Sequence, residues 1–217
     1  MRLEIGVKEC FPTPIWTLDL PPDQAAVMNA GLLNEIERLI EPRPALKPGT
    51  NWQTDPILQD LPEFADLKAL ILTAAGAVGE ALKLKSRQFR ITGCWANVNP
   101  PGGRNSAHTH PNNYLSGVYY VATPAGQGRI VFDDPRPQAF VMMPPVSQFT
   151  KFTGNNVNLD VKPGRLVLFP SWLQHSVPTN QSTEDRVTIA FNLMFEDYVD
   201  AASPPLWQGT VKVDQRS

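Results

Sequence analysis

The chain lacks most of the features that place a protein at a glance. No run approaches the roughly 18 to 20 apolar residues that a membrane helix needs, and the opening MRLEIGVKECF carries charges where a secretory signal would have its apolar stretch. Only two cysteines occur, Cys10 and Cys94, far apart and outside any CxxC spacing. That excludes a zinc framework or a secreted disulfide scaffold, leaves both thiols expected to be buried and inert, and points to a reducing, cytoplasmic setting with no membrane partner. Positive charge is not in excess, with 19 Lys and Arg against 21 Asp and Glu and a net charge of −2. A chain without a clustered basic surface has no electrostatic means of holding phosphates, so nucleic acid is not expected as a partner. The one basic cluster, Lys83, Lys85, Arg87 and Arg90, reads as a solvated face. Gly102-Gly103 reads as a turn, because no GK[ST] sequence or helix start follows it.

Proline, in contrast, is abundant: 22 among 217 residues, about twice the usual share of roughly 5%. Since proline cannot donate to a β-ladder or sit inside a helix, this implies short elements joined by fixed loops. The length suits one domain with one sizeable core. From Asp23 to Glu41 apolar residues recur at intervals of three and four, predicting an amphipathic helix with Asp23 as its cap and Pro42 as its end. A second helix is expected from Pro62 to Leu84.

After Lys85 the period becomes alternating. Strand-like runs cover Phe89 to Asn99, Leu115 to Val121, Gly128 to Phe132, Val157 to Val161, Arg165 to Phe169 and Arg186 to Phe195. Phe11 to Leu20 adds a candidate edge strand, kept from the middle of a sheet by Pro12 and Pro14. The expected fold is therefore mainly β with N-terminal helices, an α+β chain. Residues 1–85 would pack on a β core at 86–200, with 201–217 as a C-terminal arm.

All three histidines fall in the β-rich half: His108 and His110 in GGRNSAHTHPNN, and His175 in FPSWLQHSVP. Residues i and i+2 of a strand face the same side, so His108 and His110 can present two imidazoles to one point while His175 arrives from another strand. A single histidine is ordinarily a satisfied surface or core residue. His-x-His, a gap of 65 residues filled by strand-like runs, then a third histidine and an arginine opening the next strand together describe a two-strand metal site.

The order HTH, LSGVYYV, GRIVF, KPGRLVLFPSWLQHSV, RVTIAFN resembles the core of the 2-oxoglutarate and iron(II) oxygenases. FPTPIW, HTHPNNYLSGVYYV and FPSWLQHSV are similar to a group of bacterial and phage proteins assigned to that class. The resemblance is specific over residues 89–196. It implies a double-stranded β-helix of the jelly-roll, cupin-like kind, Fe(II) as metal and 2-oxoglutarate as cosubstrate. It places His108 as the first metal ligand and His175 as the distal one. Arg186 falls where the family pairs the far carboxylate of 2-oxoglutarate, which suits a planar guanidinium fork. Tyr120 falls where some members bond the same carboxylate, with Tyr119 as the alternative if the strand register slips by one. Asn192 and Asn97 are expected to look into the cavity.

One departure matters. Where the family has a carboxylate two residues after the first histidine, this chain has His110. Three readings stand: a three-histidine iron site, which is favoured; a pair shifted to His110 and Asn112; or a carboxylate supplied by Asp133 or Asp134, although those two residues with Arg136 also read as a turn closed by an ion pair. Trp172 reads as packing at a strand end, and Asn105 and Ser106 as shaping the loop before the ligands.

The expected activity is C–H hydroxylation coupled to decarboxylation of 2-oxoglutarate. The alternatives are a three-histidine dioxygenase or other cupin-type metalloenzyme that does not use 2-oxoglutarate, and a non-catalytic, metal-stabilised binding domain. The prime substrate is left open between a small molecule and a peptide. Apolar N-terminal residues and Trp207 make a homodimer an expectation.

Overall fold

The computed structural model describes residues 4–86, 88–125, 129–199 and 209–211. Two antiparallel sheets form the body of the chain, in keeping with the β-rich reading. The larger has six strands in the order β1 (Trp16–Asp19), β8 (Arg165–Pro170), β5 (Leu115–Ala122), β10 (Arg186–Phe195), β3 (Phe89–Asn99) and β2 (Trp52–Gln53). The smaller has β4 (Asn105–His108), β9 (His175–Val177), β6 (Arg129–Asp133) and β7 (Asn156–Asp160).

Two helices back the larger sheet, α1 (Pro22–Ile40) and α2 (Ala65–Ala81), the latter preceded by a 3-10 turn at Pro62–Phe64. The first helix starts one residue before the expected cap. Pro22 occupies its first turn, where a missing N–H costs nothing, and Asp23 lies inside that turn without capping it. Its Leu32, Ile36 and Ile40 join Leu67, Ile71 and Ala75 of α2 against Tyr119, Ile189, Phe191 and Leu193 of the sheet. A second apolar cluster fills the space between the sheets, where Val118, Tyr120, Val167 and Phe169 meet Ile130 and Phe132.

Alternation along β5 decides which residues go where. Tyr119 and Val121 enter the helix-side core, and Val118 and Tyr120 enter the space between the sheets. Gly117 is required on this strand. A Cβ there would lie 2.4 Å from the Phe191 ring and 2.6 Å from the Val167 carbonyl oxygen, closer than any side chain tolerates.

Several expectations shift. Cys94 is buried, but Cys10 is exposed, because the segment before β1 lies on the surface. Trp172 is 55% exposed and does not seal the strand end. Arg90 of the basic cluster is paired with Glu196 at 2.7 Å, and Arg87 lies outside the described residues. So does most of the expected C-terminal arm, including Trp207. Residues 209–211 run beside β2, where Val211 N–H donates to the Gln53 carbonyl at 3.0 Å and Gly209 N–H to Asp55 Oδ1 at 2.8 Å. No helix among the described residues is long and apolar enough to cross a membrane.

Candidate metal centre and acid pocket

The three histidines meet at one end of the space between the sheets. His108 on β4 is directly opposite His175 on β9 in the antiparallel register, which brings their ring centroids to 4.4 Å. His110 does not share that strand. β4 ends at His108, so same-face periodicity does not account for the third imidazole. It is held instead by its backbone N–H, which donates to the Ser171 carbonyl at 2.9 Å in the turn after β8. Its ring then stands 4.9 Å from that of His108 and 5.1 Å from that of His175. One nitrogen from each ring lies within 4.8 Å of the others. Adjacent donors on a metal with bonds near 2.1 Å sit about 3 Å apart, so modest side-chain rotation suffices to share an ion.

Hydrogen bonds fix the tautomers of two rings. His108 Nδ1 lies 2.7 Å from the Ser106 carbonyl oxygen and His175 Nδ1 lies 3.0 Å from that of Leu173. A carbonyl only accepts, so Nδ1 carries the proton and Nε2 keeps its lone pair for a metal. Burial, with the neighbouring His175 and His108 adding to it, lowers the His110 pKa to about 3. Burial likewise lowers that of His175 to about 4, against the Leu173 hydrogen bond, which raises it. Both imidazoles are therefore neutral at pH 7, the form that binds metal.

The carboxylate alternatives lie elsewhere. Asp134 is locked in a turn by Arg136 at 2.7 Å, Asp133 does not line the cavity, and Asn112 is exposed in a turn with φ of 63°. The metal-competent cluster among the described residues consists of the three histidines alone.

The cavity beside the histidines is walled mainly by the larger sheet. Arg186 and Thr188 reach it from β10, Tyr120 from β5, Trp95, Asn97 and Asn99 from β3, Gln53 from β2, and Asn105 from β4. Arg186 is 1% exposed, with Nη1 donating to the Pro178 carbonyl at 3.4 Å. Burial lowers its pKa and Tyr120 opposes that shift, but a guanidinium remains charged in proteins. Burial also pushes the Tyr120 hydroxyl well above the usual tyrosine range, keeping it a proton donor. The described residues lining the cavity include no Asp or Glu. A buried cation, a neutral phenol and a belt of amides thus face a space without a protein carboxylate, and a buried charge is stable only with a counter-charge or hydrogen bonds.

Of the two tyrosines, Tyr120 faces this cavity. Tyr119 points to α1, where its hydroxyl donates to Asn29 Oδ1 at 2.7 Å. Asn97 lines the cavity, its Oδ1 accepting from Gln53 Nε2 at 2.7 Å and Asn51 Nδ2 at 3.2 Å. Asn192 does not line it. It lies beyond Ala190, at a register shift in the β10–β3 ladder, and its Oδ1 accepts from Ser116 Oγ at 2.7 Å. Sequence reasoning missed Gln53, Asn99 and Thr188. The last two were recoverable as same-face neighbours of Asn97 and Arg186, whereas the two-residue strand of Gln53 leaves no periodic signal.

Comparison with known proteins agrees with this geometry. Residues 93–192 match the family model described as "Putative 2OG-Fe(II) oxygenase". Over that stretch, just under half of the chain, the sequence is similar to this oxygenase family. No curated protein matches it by sequence. Among solved structures, the non-heme alpha-ketoglutarate-dependent epimerase SnoN from nogalamycin biosynthesis is 13% identical with a TM-score of 0.60, over 94% of this chain and 92% of that one. A prolyl-4-hydroxylase from Pseudomonas putida is 19% identical with a TM-score of 0.55, over 84% and 93%. HygX from Streptomyces hygroscopicus, solved with nickel and 2-oxoglutarate bound, is 13% identical with a TM-score of 0.56, over 85% and 83%. At these identities the likeness is one of fold, and the chain has the jelly-roll core expected from its sequence.

Proposed function

We propose that this oxygenase binds Fe(II) through His108, His110 and His175 and anchors 2-oxoglutarate with Arg186 and Tyr120. The observation that carries the reading is the approach of the two groups to one cavity from opposite sheets: imidazole lone pairs from the smaller sheet and its adjoining turn, a buried cation and phenol from the larger. Arg186 offers a charged fork to the far carboxylate of a dicarboxylic acid, and Tyr120 donates a hydrogen bond to the same group. Ile130, Val118 and Phe169 keep that end dry, which strengthens both contacts. Asn97, Asn99 and Gln53 supply neutral hydrogen-bonding groups for orienting a second substrate. When bound, Fe(II) and 2-oxoglutarate supply oxidation of a substrate C–H bond to C–OH by dioxygen, with 2-oxoglutarate leaving as succinate and carbon dioxide.

The residues 1–85, 86–200 and 201–217 are read as helical support, catalytic core and arm of a single domain acting in the cytoplasm on a small molecule or peptide. The unpaired thiols accord with a reducing compartment. The homodimer reading rests on exposed Ile5, Val7 and Phe11, and light scattering tests it.

A second reading keeps the metal and drops the acid: three neutral ligands without a carboxylate also suit an iron dioxygenase that does not consume 2-oxoglutarate. Incubation of the iron-loaded protein with 2-oxoglutarate and oxygen separates the two. Succinate formed by the wild type and abolished in His175→Ala supports the first reading. Oxygen uptake that is indifferent to 2-oxoglutarate supports the second.

A further inference from the structure

Arg186 lines two spaces. One is the cavity described above. The other is a more open cleft of about 590 Å³ whose wall also carries Arg104, Arg129, Ser106, Ser176 and Thr179, and no Asp or Glu among the described residues. The three arginines come from separate elements: Arg104 just before β4, Arg129 at the start of β6 and Arg186 at the start of β10. In a chain of net charge −2, three guanidinium groups on one acid-free wall are a local concentration of positive charge. Arg129 does have an acidic neighbour across the β6–β7 pair, with Nε 3.5 Å from Asp160 Oδ1. Both side chains are more than half exposed, so water screens that contact and leaves most of the cation available to a ligand.

Arg104 and Arg129 are exposed on a wall that the buried Arg186 also lines, so an anion entering the cleft would meet guanidinium groups from three elements. The hydroxyls of Ser106, Ser176 and Thr179 add short neutral donors of the kind that fill the remaining positions around an oxyanion. We propose that this cleft is a second ligand site, taking the phosphate or carboxylate group of a small molecule. It shares Asn105, Val177 and Arg186 with the inner cavity but differs from it in having two further arginines and no imidazole. It stands whatever fills that cavity, because Arg104 and Arg129 line the cleft alone.

The test is calorimetric titration of the full-length, metal-free protein with inorganic phosphate, acetate and glycerol phosphate at constant ionic strength. One saturable site for at least one of these is expected. Arg104→Gln should weaken it about tenfold, as loss of a charge-assisted contact does, Arg129→Gln should weaken it less, and the double variant should abolish it with its circular dichroism and melting midpoint retained. Tighter binding of glycerol phosphate than of phosphate would assign the site to an anion carried on a larger molecule, and equal binding to a free oxyanion. Absence of saturable binding by all three, or unchanged affinity in the folded double variant, would overturn the proposal. Because no metal is present, failure here is separate from failure of the oxygenase reading.

Discussion

The two sheets divide both the stability and the chemistry of this chain. The larger is covered by α1 and α2 on one face and by the smaller sheet on the other, and its central strands β3, β5, β8 and β10 are buried almost throughout. The smaller sheet is short and wet: β4 and β7 are mostly exposed, and its share of the inner apolar layer is Ile130 and Phe132 of β6 with Leu159 of β7 packed against that layer. Yet two of the three candidate metal ligands sit on this thinner sheet, while Arg186 and Tyr120 sit on the thick one. On the proposed roles, metal binding at the exposed His108 would be separable from folding, whereas the acid anchor would be built into the core.

The largest expected effect sharpens the stability side of that contrast. Phe191→Ala in β10, whose ring is fully buried, should cost about 4 kcal/mol in urea unfolding. Val157→Ala on β7, 59% exposed, should stay within about 0.5 kcal/mol. Similar costs at the two positions would break the comparison. Next comes His108→Ala, which should lower iron(II) affinity at least about 100-fold, roughly 2.7 kcal/mol, by chelator competition. Its metal-free melting midpoint should stay close to that of the wild type, since this histidine is exposed.

The adjacent tyrosines provide a finer test. Tyr119→Phe removes the hydroxyl bonded to Asn29 and should cost about 1 kcal/mol of stability without changing 2-oxoglutarate affinity. Tyr120→Phe should weaken that acid at least about tenfold, as loss of one hydrogen bond to a charged group does. An exchange of these phenotypes would reverse the assignment of faces on β5.

The smallest effect is at the rim of the larger sheet. Asp19 is held well below the ordinary carboxylate value of 3.8, first by its hydrogen bond to Arg165, with burial opposing and Lys162 adding to the lowering. A folded-state value below the unfolded one gives stability that is present above about pH 4 and lost as the pH falls further. Because the side chain is 35% exposed, solvent screening limits this to about 1 kcal/mol or less. The urea midpoints of wild type and Asp19→Asn should differ at pH 7 and converge in acid.

The same contrast explains what could be read from the residues alone. β3 and β10 have the predicted ends, Phe89–Asn99 and Arg186–Phe195, because long buried strands leave an unbroken β-branched and aromatic record. β4, β9 and β2, with four, three and two residues, leave none, although the first two carry His108 and His175. The triplet of histidines was still legible from its spacing and its resemblance to the oxygenases, but the reason given for His110 was wrong. A backbone bond to Ser171 in a distant turn places it, and no local pattern encodes such a contact. Asn192 shows the complementary failure: strand periodicity gives the right face, while distance along the strand takes the residue past the cavity to Ser116.

The most direct test of the central claim is anaerobic titration of the iron(II) protein with 2-oxoglutarate, following the weak visible charge-transfer band of a chelated keto acid. Wild type, His175→Ala and Arg186→Lys would be compared, each first checked for folding by circular dichroism. A saturable band in the wild type, absent in His175→Ala and requiring at least about tenfold more acid in Arg186→Lys, is the predicted result. Iron bound by the wild type with no band at any 2-oxoglutarate concentration, or a band indifferent to Arg186→Lys, would contradict the account.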